Sequence, residues 1–210
     1  MFIPKENAKT PEIYRMFTGI IETIGKVTKV TSAGTNKSFW VESSLYPELK
    51  VDQSLAHNGV CLTIEELKDS LYRVTAVQET LEKTNIGEWQ TSSLINLERS
   101  LLPSSRLDGH FVQGHVDGIG TCKKIKNREG SWELEFEFDK KFASLIIEKG
   151  SICVNGISLT AFNVKKKSFK VAIIPYTWVH TNLQYLQEGK TVNLEFDLIG
   201  KYITRKLSLK

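Results

Sequence analysis

Cys61-Leu62-Thr63 and Ser158-Leu159-Thr160 place side chains that can donate, accept or attack at alternate positions, with a leucine between them. On a strand, successive side chains point to opposite faces, so the thiol or hydroxyls share one face and the leucine takes the other. Backbone N–H and C=O groups beside such a face suit a flat heterocycle with several donors and acceptors, because a pocket needs only a few polar groups in an apolar lining. A strand cysteine is ordinarily a small core hydrophobe. As a nucleophile, Cys61 would need help to become a thiolate, and His57, four residues away, or His115 could give it. His115, in Gln113-Gly114-His115-Val116-Asp117, could also carry protons near neutral pH. His110 reads equally as a loop residue or a ligand. The two histidines are not an i, i+4 pair, and the chain has neither HExxH nor CxxC, so no metal site is expected.

These segments belong to a longer doubling. Ser54 to Thr63 returns as Ser151 to Thr160 at an offset of 97 residues, and Asn96-Leu97-Glu98 returns as Asn193-Leu194-Glu195 in the same register. Thr80…Thr84-Asn85 against Thr177…Thr181-Asn182 keeps that offset too. Gly19 to Gly25 is echoed by Gly114 to Gly120 at an offset of 95, with His115 where the first copy has Ile20. So long a period is a whole small domain, not a solenoid unit of about 20–50 residues. The chain therefore reads as two tandem domains with similar pockets, chemically different at Cys61 against Ser158 and His115 against Ile20. The Asn58-Gly59 and Asn155-Gly156 pairs, taken alone, are hairpin turns.

Strand patterns dominate the elements that must hold these residues. Trp132 to Asp139 alternates apolar with acidic residues, and Val192, Leu194, Phe196 and Leu198 alternate with Asn193, Glu195 and Asp197, as half-buried strands do. Leu71–Val77 and Ser168–Ile174 are β-branched and aromatic. Turns are expected at Ala33-Gly34-Thr35-Asn36 and Asn127-Arg128-Glu129-Gly130, and short helices at Phe142–Ile147 and after Thr80 and Thr177. The expected fold is mainly β: two pseudo-symmetric, six-stranded antiparallel Greek-key barrels, plus a short C-terminal helix. The expected bounds are a flexible extension over 1–15, barrels over 16–109 and 110–200, and a tail over 201–210 that forms a helix on a neighbouring subunit or frays.

At 210 residues and a formal net charge of +4, the chain shows no charge bias toward nucleic acid. Lys123-Lys124-Ile125-Lys126 and Lys165-Lys166-Lys167 read as solvated turns. Three cysteines, an odd number without pairing motifs, argue for a reducing cytoplasm. No run has the length of a transmembrane helix, and the first fifteen residues lack the apolar region of a signal peptide.

Taken together, the motifs resemble those of the riboflavin synthase family with two lumazine-binding repeats. They are Met16-Phe17-Thr18-Gly19-Ile20-Ile21-Glu22, His57 to Thr63, Glu79-Thr80-Leu81…Thr84-Asn85, Gly109-His110…Gly114-His115-Val116 and Asn155 to Thr160, in order over Met16 to about Lys206. The resemblance implies a start at Met16. It also implies a transferase reaction in which two molecules of 6,7-dimethyl-8-ribityllumazine exchange a four-carbon unit, yielding riboflavin and 5-amino-6-ribitylamino-pyrimidinedione without cofactor or metal. Two like pockets then suit two like substrates, held so that their encounter becomes positional. A homotrimer is implied, with each site between the first barrel of one subunit and the second of another, and an association with lumazine synthase is compatible with it.

Residue by residue, the resemblance assigns one lumazine to Cys61, Leu62, Thr63 and the strand Thr75, Ala76, Val77, Gln78, Glu79, Thr80. The other falls to Ser158, Leu159, Thr160 and Ala172, Ile173, Ile174, Pro175, Tyr176, Thr177. Gly19, Ile20 and Ile21, with Gly114, His115 and Val116, would close the sites. Ser54 and Asp197 match polar site positions, and Lys149 a ligand contact, although helix termination explains Lys149 equally well. Cys61, His115 and Ser54 are the candidate catalytic groups. One lumazine would lose a proton from its 7-methyl group, and a nucleophile, Cys61 or a water near His115, would add to the other. The rival readings are a protein that holds a lumazine or flavin chromophore without turnover, and the flavin barrel of a reductase. The second half lacks the GxGxxG of a reductase's dinucleotide domain and repeats the first instead.

Overall fold

The computed structural model describes residues 16–209. The expected N-terminal extension, Met1–Arg15, lies outside the described residues. The first repeat contains β1 (Thr23–Ala33), β2 (Asn36–Glu42), β3 (Ser54–His57), β4 (Val60–Thr63), β5 (Glu66–Lys68), β6 (Leu71–Ala76), α1 (Gln78–Lys83) and β7 (Leu94–Arg99). The second contains β8 (Gly118–Asn127), β9 (Trp132–Glu137), β10 (Ser151–Val154), β11 (Ile157–Phe162), β12 (Ser168–Ile173), α2 (Pro175–His180) and β13 (Thr191–Phe196), and α3 (Leu198–Ser208) follows.

The second repeat is a closed six-stranded barrel in the order β10-β11-β12-β9-β8-β13. The first keeps the same neighbours but has seven strands, β4-β3-β7-β1-β2-β6-β5. Of its end strands, β4 corresponds to the start of β11, whereas β5 corresponds to 163–165, beyond the end of β11, where the second repeat has no strand. The break falls at Ile64-Glu65, where the Ile64 side chain is fully buried and Glu65 N–H already donates to Arg73 O, so the chain passes from β3 to β6 without unbroken strand geometry. Alternation fills each interior. Phe39, Val41, Tyr72, Val74, Ile95 and Leu97 point into the first, and Phe136, Ile152, Phe169, Val171, Ile173 and Phe196 into the second. Each such side chain contributes about 1.5–3 kcal/mol on leaving water.

The pattern over 192–198 does not mark a half-buried strand. β13 is buried on both faces, with Asn193 and Glu195 only 1% and 2% exposed, because Asn193 meets the other repeat and Glu195 meets the segment before β8 instead of water. Leu198 belongs to α3, whose start at Leu198 is capped by Asp197 accepting from Ile199 N–H. Lys123 to Lys126 lies in strand β8, not in a turn, with a bulge between Cys122 and Lys124. The helix expected at Phe142–Ile147 is a 3-10 helix over Lys140–Leu145.

Both Asn-Gly pairs form tight hairpins in left-handed conformation, with φ of 47° at each Asn and 77° and 82° at Gly59 and Gly156. The hairpins abut. A Cβ on Gly59 would sit 2.8 Å from Gly156 N, and one on Gly156 would sit 2.8 Å from Gly59 N. Reciprocal bonds surround them: Asn96 Nδ2 donates to Asn155 O, and Asn193 Nδ2 to Asn58 O, both at 2.9 Å. The two repeats are thus related by an approximate twofold through these turns.

Candidate active site

Two segments cross between the repeats along this twofold. Phe17 and Val112 form an antiparallel bridge, with N–H to O distances of 2.7 and 3.1 Å. Beyond the bridge each segment runs onto the opposite repeat: Ile21 packs on the second core and Val116 on the first. Gly19 O accepts from Ser158 N–H at 2.8 Å, and Gly114 O accepts from Cys61 N–H at 2.9 Å. Both glycines are required there. Their φ values are 78° and 77°, and an added Cβ would lie 2.7 Å from Ser158 Cβ or 2.5 Å from Cys61 Cβ. Phe17, Ala56, Val112 and Cys153 fill the crossing, with Cys61 packed against them.

This crossing builds the first pocket, a hollow of about 260 Å³ lined by Val60, Cys61, Glu79, Thr80, Lys83, Thr84, Gly114, His115 and Val116. Cys61 and His115 therefore share one cavity although they come from different repeats. His57, the other candidate partner for the thiol, is buried in the core. Its Nδ1 donates to Leu55 O at 2.9 Å and its Nε2 meets the Tyr72 hydroxyl at 3.0 Å. Burial lowers its pKa to about 4, so it is neutral and structural. Leu62 points into the first core, as the alternation requires, and leaves Cys61 half-buried and Thr63 exposed on the other face. Ser54 pairs in register with Thr63 at the far end of that hairpin.

The stretch assigned as one strand, Thr75–Thr80, is not one. β6 ends at Ala76, which is fully buried, and Gln78 begins α1. Thr75 Oγ1 donates to Glu65 at 2.9 Å, Val77 is half-exposed, and Gln78 donates to Glu82 at 2.7 Å. Only Glu79 and Thr80 of this stretch reach the hollow. There Lys83 Nζ meets Glu79 Oε1 at 2.6 Å, one helical turn apart. The pairing lowers the Glu79 pKa and raises that of Lys83.

The second copy differs in its side chains. Ser158 Oγ lies 2.6 Å from His110 Nδ1, and burial lowers the His110 pKa while Asp197 opposes that shift. Leu159 packs on the second core and Thr160 is exposed. Ala172 is exposed, Ile173 is core, and Pro175 opens α2, so here too the strand stops before Thr177. Pro at the first helical position is favoured because its missing N–H has no intrahelical acceptor. Ile174 and Tyr176 are exposed, and Tyr176 stacks on His180 at 4.1 Å. Ile20 is exposed beside Gly19. Lys149 does not terminate a helix. It stands four residues past the 3-10 helix in a left-handed turn, its Nζ 5.5 Å from the Phe162 ring centre.

Comparison with known proteins bears on the family and the fold. The lumazine-binding domain family matches the chain twice, over residues 18–100 and 113–197. Riboflavin synthase of Actinobacillus pleuropneumoniae is 38% identical over 93% of this chain and 91% of its own length. The chain belongs to the riboflavin synthase family. Riboflavin synthase of Bacillus subtilis is 33% identical over 91% of this chain and 90% of its own length, and that of Mycobacterium bovis 38% identical over 90% and 97%. The fold is also that of LumP complexed with riboflavin, at a TM-score of 0.81, 20% identity, and coverage of 86% of this chain and 98% of LumP.

Within this family fold, sequence reasoning weighed His110 without assigning it a partner. A histidine next to Gly109, where a Cβ would lie 2.9 Å from Ser158 Cβ, packs on the hydroxyl only through the fold. Glu98 and Glu195 were noted as repeated but not as site residues. Their signal was a carboxylate kept in both copies on a face that the alternation assigned to water. Among the described residues, no group of three or more His, Cys, Asp or Glu is placed to hold a metal, and no helix is long and apolar enough to cross a membrane.

Proposed function

We propose that the protein is a riboflavin synthase, a transferase that converts two molecules of 6,7-dimethyl-8-ribityllumazine to riboflavin and 5-amino-6-ribitylamino-pyrimidinedione. Family membership supports this, and one observation carries it to the reaction. A single chain presents two like backbone frames, Cys61 N–H on Gly114 O and Ser158 N–H on Gly19 O, with unlike reactive groups. A dismutation needs that arrangement: two copies of one substrate bound alike and treated differently. In this reading Cys61 and His115 face one ring, and Ser158, its hydroxyl bonded to His110, faces the other. Deprotonation at the 7-methyl group of one lumazine gives the carbanion that attacks the second. Four carbons then pass across, and the atoms of two substrates equal those of the two products.

The hollow at Cys61, at about 260 Å³, falls below the 300–1,000 Å³ of typical small-molecule sites, so a second surface is needed to enclose a ribityllumazine. That supports a site shared between subunits of a homotrimer. Ile199, Tyr202, Ile203 and Leu207 form an exposed apolar stripe on α3 that supports such an assembly. The buried thiols Cys122 and Cys153, both raised by burial, suit a reducing cytoplasm.

The decisive experiment is incubation with 6,7-dimethyl-8-ribityllumazine alone while riboflavin fluorescence is followed. Riboflavin formation supports the reading, and binding without turnover assigns the chain to chromophore holding instead. Sedimentation velocity reports the trimer, and repeating it with added lumazine synthase tests that association.

A further inference from the structure

Two buried glutamates grip the crossing segments by their backbones, and the chemistry above uses neither. Glu98, near the end of β7, is 5% exposed. Its Oε1 accepts from Thr18 N–H at 2.6 Å and from the Thr18 hydroxyl at 2.7 Å, and its Oε2 accepts from Gly19 N–H at 3.0 Å. Glu195 stands in the same register of β13. Its Oε1 accepts from Gln113 N–H at 2.7 Å, and its Oε2 accepts from Gly114 and His115 N–H, both at 3.0 Å. The gripped residues are the ones that reach the opposite repeat: Gly19 O receives Ser158 N–H, and Gly114 O receives Cys61 N–H.

We propose that Glu98 and Glu195 are paired positioning residues, each acting as an anion that fixes one crossing segment, so that Glu195 sets the Cys61–His115 pocket and Glu98 sets the Ser158–His110 pocket. This assignment to substrate pockets rests on the function proposed above. The geometry calls for the anion. Around Glu195 every recorded partner is a backbone N–H, which can only donate, so a carboxyl proton there would meet donors and displace the segment. Charge-assisted bonds of this kind are stronger than neutral ones, and three of them converge on each carboxylate.

Other charges stand around both grips. Burial raises both carboxyls to about 7, against the pull of the backbone bonds. Glu22 faces Glu98 and raises it further, while Asp117 raises and Lys201 of α3 lowers Glu195. The Cys153 thiol of β10 lies in the field of both, its own pKa pushed up by burial first and by the two carboxylates after that. Lys201 is itself held by Asp117 at 2.7 Å, so α3 bears on one grip and not on the other.

The test is amide exchange at Cys61 and Ser158, read by NMR and corrected for the intrinsic rate. At pH 8, Glu195→Gln is expected to speed exchange at Cys61 by about tenfold or more and leave Ser158 unchanged, with the reverse in Glu98→Gln. Glu195→Asp and Glu98→Asp, which keep the anion but draw it back from the N–H groups, should speed exchange at the same amides by less than the Gln variants do. If both amides open together in either Gln variant, or neither moves, the proposal is overturned. Should a Gln variant fail to fold, the Asp variant decides alone, and unchanged exchange at its own amide overturns the proposal. Turnover separates this from the function itself. The expected exchange pattern with no riboflavin formed sinks the synthase reading and keeps the grips. Riboflavin formed with exchange unmoved in both variants does the opposite.

Discussion

The hairpins at Cys61 and Ser158 share a backbone frame and differ in the side chains around it. At Cys61 the neighbours are His115 and the Glu79–Lys83 ion pair of α1. At Ser158 the neighbour is His110, at 2.6 Å from the hydroxyl, and in α2 Tyr176 and His180 stand in the places of Glu79 and Lys83 and stack. Trp178 of α2, where α1 has Leu81, also stacks on Trp132 at 4.4 Å. The frame is conserved between the copies because hydrogen bonds across the twofold tie each backbone to the other. The side chains facing outward are under no such constraint. One short helix is therefore charged and the other aromatic on the same fold.

The most severe test of this contrast removes the thiol. Cys61→Ala should lower kcat by about 100-fold, within the range for a group acting directly on the reacting atoms. Cys61→Ser, which makes the first pocket resemble the second, should fall between. Wild-type rates in both would show that the thiol has no part in turnover. Replacing His110 by Asn, which loses the ring nitrogen at Ser158, should slow turnover by about tenfold, the effect of one hydrogen bond. The same change should leave ligand-induced shifts at Cys61 untouched in NMR spectra. Shifts at Cys61 as large as those at Ser158 would mean that the pockets do not act separately.

Stability should respond alike in both copies. Gly19→Ala and Gly114→Ala each force a side chain into left-handed backbone against a neighbour under 3 Å away, and each should lose about 1–3 kcal/mol in urea unfolding. A loss in one copy only would deny the twofold. The smallest effect concerns pH. Glu98 and Glu195 have folded pKa values raised to about 7, so their contribution to stability is present at low pH and is lost as pH rises from the unfolded carboxylate range through 7. His57, lowered to about 4, works the other way: its contribution is present above the unfolded histidine value and is lost as pH falls toward 4. Thermal melts of the wild type should therefore fall from pH 5 toward pH 8, since two raised carboxyls outweigh one lowered histidine, and should instead fall toward acid in Glu98→Gln/Glu195→Gln. A double variant with the wild-type slope would place those carboxyls outside the balance.

Much of the molecule was legible because duplication and alternation are both local signals. The hairpins at Asn58-Gly59 and Asn155-Gly156, the strand that sends Leu62 inward and Cys61 outward, and the equivalence of Cys61 with Ser158 all follow from residue type and spacing. Readings failed where periodicity does not report length or cover. The strand toward Thr80 runs on in pattern, but the chain turns into α1 once Ala76 is buried. Lys123 to Lys126 continues β8, with Lys123 and Lys124 exposed at its bulge.

The sequence by itself determined that there are two copies, which turns they use and which residue types face which side of each hairpin, since these depend on backbone sterics and on neighbours a few positions apart. Only the tertiary structure decided that the copies exchange their leading segments, bringing His115 to Cys61 and burying Glu98 and Glu195 at the crossing. An alternating strand shows that one face is apolar and the other polar. It carries no record of what covers the polar face, and here the cover is the other repeat over Asn96 and Asn193 and the crossing segments over Glu98 and Glu195.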